Sequence, residues 1–185
     1  MLTPGSRAPH FTLTDDRGAP HTLASLTEHG PLILYFYPAD RSPGCAKQAC
    51  AIRDIHKPLA AAGFTVAGVS PQGAISHAKF RAKHDLPFIL LTDPTKTVIS
   101  EYQANGPFGW GVRRTTYLID RARRIRAALR ADFSIDKHRA FVAQALQDHP
   151  RSPAPPAQDQ GPGEDPECDR SSGFEPISEP ATTRP

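Results

Sequence analysis

The sequence predicts an α/β protein, a central mixed sheet flanked by helices and extended at its amino terminus by a β-hairpin. Two observations carry this reading. Short apolar runs alternate with longer helix-like stretches between residues 10 and 148, the pattern of βαβ units around a mostly parallel sheet centre. Two segments, one near each end of that span, depart from the alternation and look like antiparallel pairs.

Phe11-Thr-Leu13 and His21-Thr-Leu23, separated by Asp15-Asp-Arg-Gly18, make the predicted hairpin. Leu32-Ile-Leu-Tyr-Phe-Tyr37 is continuous, apolar and aromatic, as expected of a strand buried on both faces. The runs over 64–69, 88–91 and 115–119 read the same way. Helices are expected at about 44–62, 72–85, 95–104 and 135–147, with Gly63 as a stop and Pro71 in the first turn of the second. Residues 119–125 read as a turn into a final strand over 125–129. No internal repeat is present.

Apolar residues make up 38% of the 185, below the roughly 45–50% of an ordinary domain. The deficit is local. Residues 151–185 hold 8 of the 20 prolines and only Phe174 and Ile177 as large apolar side chains. Such a segment cannot bury enough surface to offset its ordering entropy, so 150–185 is expected to be a disordered, Pro-rich acidic tail. Residues 1–149 are the expected folded domain, long enough to bury roughly 70% of the surface the unfolded chain exposes.

Charge divides at the same point. With 7 acidic and 3 basic residues, 151–185 carries −4 and the rest +7, giving the net +3. The strongest basic cluster is Arg121, Arg123, Arg124, Arg126 and Arg130. At a hairpin tip and an open strand edge it reads as a solvated surface that resists aggregation. No aromatics are interleaved to stack bases, so nucleic acid is not an expected partner. No run of 18 apolar residues offers a membrane span, and the amino terminus lacks a signal-like apolar stretch. The expected compartment is the cytoplasm. Three cysteines make no disulfide framework there and read as reactive, metal-binding or incidental.

The chemistry lies in Tyr35-Phe-Tyr-Pro38-Ala-Asp-Arg-Ser42-Pro-Gly-Cys45-Ala-Lys-Gln-Ala-Cys50. The segment leaves a buried strand, crosses a Pro/Gly loop and enters a helix that Asp40 or Ser42 can cap, with Pro43 tolerated in its first turn. Cys45 then falls in the first turn, where free N–H groups and the positive end of the helix favour a thiolate. Cys50 is five residues on. On one regular helix the two Cα atoms stand roughly 8.5 Å apart. A disulfide needs about 7 Å or less. Either Cys50 is a core residue or this turn melts during function. The C-x₄-C spacing is poor for zinc and His56 alone does not complete a site, so no metal or other cofactor is expected. Cys168, among Asp165, Glu167 and Asp169, reads as an incidental exposed thiol.

These residues resemble a known family. Pro38-x-x-x-Ser42-x-x-Cys45 is similar to the P-x-x-x-[TS]-x-x-C signature of the peroxiredoxins, and Cys45 through Cys50 with Ile52-Arg-Asp54 is similar to their Q-type branch, the bacterioferritin comigratory proteins. Gly68-Val-Ser-Pro71, Ser76-His-Ala-Lys-Phe80, Leu86-Pro-Phe88, Leu91-Thr-Asp93 and Arg114-Thr-Thr-Tyr-Leu-Ile-Asp120 extend the resemblance over about 3–148. It implies a thioredoxin-like fold and a monomeric thiol peroxidase that reduces hydrogen peroxide or organic hydroperoxides. Cys45 would be the peroxidatic cysteine, oxidised to a sulfenic acid. Cys50 would resolve it as an intramolecular disulfide, and thioredoxin or a similar dithiol would recycle the pair. Pro38, Ser42 and Arg114 would complete the site; only the resemblance selects Arg114 over Arg113. Ser42 stands where the family more often has Thr, and Gln48 where Glu is frequent, departures expected to alter rate modestly.

Two other readings stay open. One is a thioredoxin-like thiol–disulfide oxidoreductase, against which the absence of C-x-x-C counts. The other is a redox-sensing module in which unwinding around the two cysteines exposes a partner surface.

Overall fold

The structure is a computed structural model and describes residues 1–149. The expected tail over 150–185 and Cys168 lie outside the described residues. The amino-terminal hairpin forms as read: β1 (Thr12–Asp15) pairs antiparallel with β2 (Pro20–Thr22). The Asp15 carboxylate closes its turn by accepting from the N–H groups of Arg17 and Ala19, both at 2.9 Å. A short helix the sequence did not announce, α1 (Leu23–Leu26), follows at once. It is set by a reciprocal cap between Thr22 and Ser25.

The next strand, β3 (Leu32–Phe36), is buried throughout. Its side chains alternate between faces. Leu32, Leu34 and Phe36 enter one core with Phe11, Tyr102 and Tyr117. Ile33 and Tyr35, with Tyr37 beyond the strand, enter the other beside Cys45, Ala49 and Ile52. The expected single helix over 44–62 is two, α2 (Pro43–Arg53) and α3 (His56–Ala61). Pro58 explains the break. It brings no N–H, and its ring clashes with a helical carbonyl four residues back, at Asp54, which caps α2. Gly63, at φ 82°, ends α3 as expected.

Then come β4 (Thr65–Ser70), α4 (Ala74–His84) and β5 (Ile89–Thr92). Pro71 lies before α4 and not in its first turn, because Gly73 is the residue that caps it. The helix expected over 95–104 shrinks to α5 (Thr97–Glu101), bounded by left-handed Lys96 and Gln103. The Asp93 carboxylate accepts from the N–H groups of Thr97 and Ile99 and so anchors its start. A 3₁₀ turn (Pro107–Gly109) leads to the antiparallel pair β6 (Thr115–Ile119) and β7 (Ile125–Arg130), and α6 (Ile135–Asp148) closes the domain.

One seven-stranded mixed sheet results, in the order β2-β1-β5-β4-β3-β6-β7. Only β3, β4 and β5 run parallel, so the mostly parallel sheet expected from the alternation is confined to its centre. After β5 the chain passes through α5 and a 3₁₀ turn without crossing back over the sheet, and β6 enters antiparallel to β3.

The basic edge is less open than expected. The amino-terminal segment pairs along it, Gly5 N–H with Ile125 O (2.8 Å), Ala8 N–H with Arg123 O (2.9 Å) and Ile125 N–H with Ser6 O (2.9 Å). Among the described residues no helix is long and apolar enough to cross a membrane.

Candidate active site

The loop between β3 and α2 carries the site, and a buried carboxylate hydrogen-bonded to an imidazole holds that loop. Asp40 caps no helix. Its carboxylate accepts from the Ser76 hydroxyl (2.6 Å), the Tyr37 hydroxyl (2.8 Å) and His77 Nδ1 (3.0 Å). His77 Nε2 faces the Leu91 carbonyl at 3.2 Å, so both ring nitrogens lie within hydrogen-bond reach of acceptors. Burial pushes the Asp40 carboxyl up, but hydrogen bonds from His77 and Ser76 outweigh it and hold the group below its ordinary value. The loop is thereby tied to α4 and to the end of β5.

Pro38 sits half-buried in this loop, just beyond β3. Ser42 occupies the cap position of α2 but makes no side-chain cap, so neither expected capping side chain performs that role. Pro43 is the first helical residue, as read, and Cys45 the third. The free N–H groups of that turn belong to Gly44 and Cys45.

Arg114 reaches this helix start from the residue before β6. Its Nη2 donates to Cys45 Sγ at 3.2 Å and lies 3.4 Å from Ser42 Oγ. Cys45 is 1% exposed, so the contact is made in a low-dielectric setting that strengthens it. Gly44 makes the approach possible: a Cβ there would stand 2.7 Å from Arg114 Nη2. The structure thus brings Cys45, Ser42 and Arg114 together, with Pro38 in the same loop.

The arginine is held by a residue the sequence reading missed. Asp132 accepts from the Arg114 backbone N–H through Oδ1 (3.0 Å) and from the Arg114 guanidinium through its own carbonyl. Its Oδ2 pairs with Arg113 at 2.8 Å. Arg113 therefore faces Asp132, and Arg114 faces the sulfur. His138 fastens the segment ahead of α6, bonding Thr116 Oγ1 (2.8 Å) and the Ala131 carbonyl (2.9 Å).

Cys50, half-buried on α2, is the one expected site residue that does not join this cluster. Its Sγ lies 3.7 Å from His84 Nδ1 at the end of α4. Both cysteines are free, and α2 runs unbroken through them. Gln48, one turn after Cys45, is fully buried, and neither its amide nitrogen nor its oxygen has a protein partner; Arg114 Nε is likewise buried and unpartnered. Among the described residues no three His, Cys, Asp or Glu side chains cluster as metal ligands would.

Comparison with known proteins decides the family. Residues 4–128 match the AhpC/TSA family model. A protein of Coxiella burnetii named putative peroxiredoxin bcp is 40% identical over 148 residues, covering 77% of this chain and 97% of that one. A chloroplastic peroxiredoxin Q of Sedum lineare is 39% identical over 147 residues, covering 79% and 78%. The crystal structure of peroxidoxin BcpB from Mycobacterium tuberculosis superposes with a TM-score of 0.74 at 33% identity, covering 80% of this chain and 97% of that one.

The chain belongs to the AhpC/TSA family, among its Q-type peroxiredoxins. Of the three readings the sequence left open, the family carries the thiol peroxidase. The thioredoxin-like fold expected from the resemblance is the one observed, hairpin extension included. What sequence reasoning missed in this peroxiredoxin site is its support: Asp132, His138, and the pairing of Asp40 with His77. Ser76 and His77 lay inside a recognised motif, yet no spacing rule links them to a carboxylate 36 and 37 residues away.

Proposed function

We propose that Cys45 is the peroxidatic cysteine and Cys50 the resolving cysteine of a peroxidase acting on hydrogen peroxide and organic hydroperoxides. The observation that carries this is the Arg114 guanidinium, 3.2 Å from a sulfur in the first turn of a helix. Positive charge and free N–H groups there stabilise a thiolate, the nucleophile that O–O cleavage requires.

The sulfur attacks one peroxide oxygen, the O–O bond breaks, and the departing oxygen takes a proton to leave as water or an alcohol. Charge developing on that oxygen is met by the Ser42 hydroxyl, Arg114 and the N–H groups of Gly44 and Cys45. Pro38 shields the sulfur from water. The sulfenic acid left on Cys45 condenses with Cys50 after the start of α2 unwinds, and a dithiol such as thioredoxin reduces the disulfide by exchange. All five residues come from one chain, which supports a monomer as the working unit. Two free thiols suit a reducing compartment, and we place the protein in the cytoplasm.

In an assay with thioredoxin, its reductase and NADPH, wild type consumes peroxide and Cys45→Ser does not. Cys50→Ser keeps the first reaction with peroxide and loses efficient recycling. Full steady-state turnover by Cys45→Ser removes the assignment.

A further inference from the structure

We propose that His84 is the general base of the resolving step, taking the thiol proton of Cys50 as its sulfur attacks the oxidised Cys45. This rests on the reading of Cys50 as the resolving cysteine. His84 Nδ1 lies 3.7 Å from Cys50 Sγ, within sulfur hydrogen-bond range, and the residue is held at its main chain and at its ring. Arg53 Nη1, on α2, donates to the His84 carbonyl at 2.8 Å. The ring packs edge-on against Phe80 with centroids 5.1 Å apart.

The Arg53 bond also decides which sulfur travels. It staples the Cys50 end of α2 to α4. At the other end Ser42 makes no side-chain cap, Pro43 supplies no N–H, Gly44 is a poor helix former, and the tie from Arg114 ends on the Cys45 sulfur, the atom that peroxide changes. Cys45 therefore moves to Cys50, and Cys50 keeps its histidine throughout. The other titratable groups around the pair are Arg53, bonded to Asp54 at 2.8 Å, Asp85 after α4, and the buried Tyr35 phenol of β3.

The step balances. Cys50 S–H passes its proton to Nδ1, and its sulfur attacks the sulfenic sulfur of Cys45. The S–S bond forms as the S–O bond breaks. The departing hydroxyl takes a proton and leaves as water, and the imidazolium returns its own proton to solvent. Cys45 sulfur is reduced and Cys50 sulfur oxidised.

The test uses the full chain, reduced and mixed with one equivalent of hydrogen peroxide, then quenched with a thiol-alkylating reagent. Mass spectrometry follows sulfenic acid and disulfide over time, between about pH 6 and about pH 9. His84→Gln oxidises Cys45 at the wild-type rate but forms the disulfide about tenfold or more slowly near neutrality, where an ordinary thiol is only a few per cent thiolate. The gap closes above about pH 8.5, as a free thiol ionises without help. Added imidazole speeds the step in His84→Ala. Disulfide formation in His84→Gln at the wild-type rate, or slowed equally at every pH, overturns the proposal. Cys50→Ser separates the two readings. If it stalls as the sulfenic acid while His84→Gln matches wild type, Cys50 stands and His84 falls. If it recycles normally, both fall.

Discussion

Asp132 grips Arg114 twice, accepting from its backbone N–H with a carboxylate oxygen and from its guanidinium with the main-chain carbonyl. The guanidinium is thus aimed at Cys45 by a residue 18 positions away whose hydrogen bonds go to Arg113 and Arg114. Positioning of this kind is worth rate, since a displacement of about 1 Å can cost on the order of 100-fold.

Asp132→Ala is expected to lower the rate of the first reaction with peroxide by about 10–100-fold, because the carboxylate that fixes the Arg114 backbone N–H is lost while the main-chain carbonyl that meets its guanidinium remains. Stopped-flow measurement of Cys45 oxidation in the reduced protein checks this. An unchanged rate would show that Arg114 needs no such support.

Gly44→Ala separates rate from stability. Alanine suits a helix better than glycine by up to about 1 kcal/mol, and the atom its Cβ would meet is the end of the Arg114 side chain, not backbone. Thermal stability should hold or rise, while the peroxide reaction falls about tenfold or more as Arg114 is displaced from the sulfur. Loss of both together would mean the backbone cannot accept the methyl group.

Asp40→Asn replaces the carboxylate that meets Tyr37, Ser76 and His77 with an amide that has one acceptor oxygen. Leaving a buried hydrogen-bonding group without its partner typically costs about 1–3 kcal/mol. Denaturant melts should show this loss, and the peroxide reaction should slow with it, since the same carboxylate holds the loop that presents Ser42 and Cys45.

Acid should weaken the fold through His138. Burial is the main reason its imidazole is held below the ordinary 6.5. As pH falls through about 6.5, the unfolded chain takes up a proton that the folded protein does not, so stability is lost on the way down. Half-buried His56, lowered by the same cause, adds to this loss. Melts from about pH 7.5 down to about pH 5.5 should show a shallower decline in His138→Gln than in wild type. Equal slopes would remove His138 as a source.

Much of the fold was legible because its signals are short-range. The apolar run over 32–37 marked a doubly buried strand, and β3 occupies it. Pro43 and the residues around it marked a helix start, and Cys45 sits three residues into that helix. Where local signals compete, the reading slipped. The stretch expected as one helix over 44–62 breaks at Asp54, because Pro58 disrupts the turn before it. The helix expected over 95–104 was cut short by left-handed Lys96 and Gln103, conformations that no periodicity announces.

By itself, then, the sequence determined the order of strands and helices, the seat of one sulfur at a helix start and of a second five residues on, and the family motif joining them. Periodicity, caps and turns act within a few residues and can be read in a line. Tertiary structure decided the direction of β6, the hold of Asp132 on Arg114, and the pairing of Asp40 with His77. Arg114 meets Cys45 across 69 residues and Asp40 meets His77 across 37. Such contacts exist only once the sheet has packed its helices, because burial and close approach, not local propensity, select the partners.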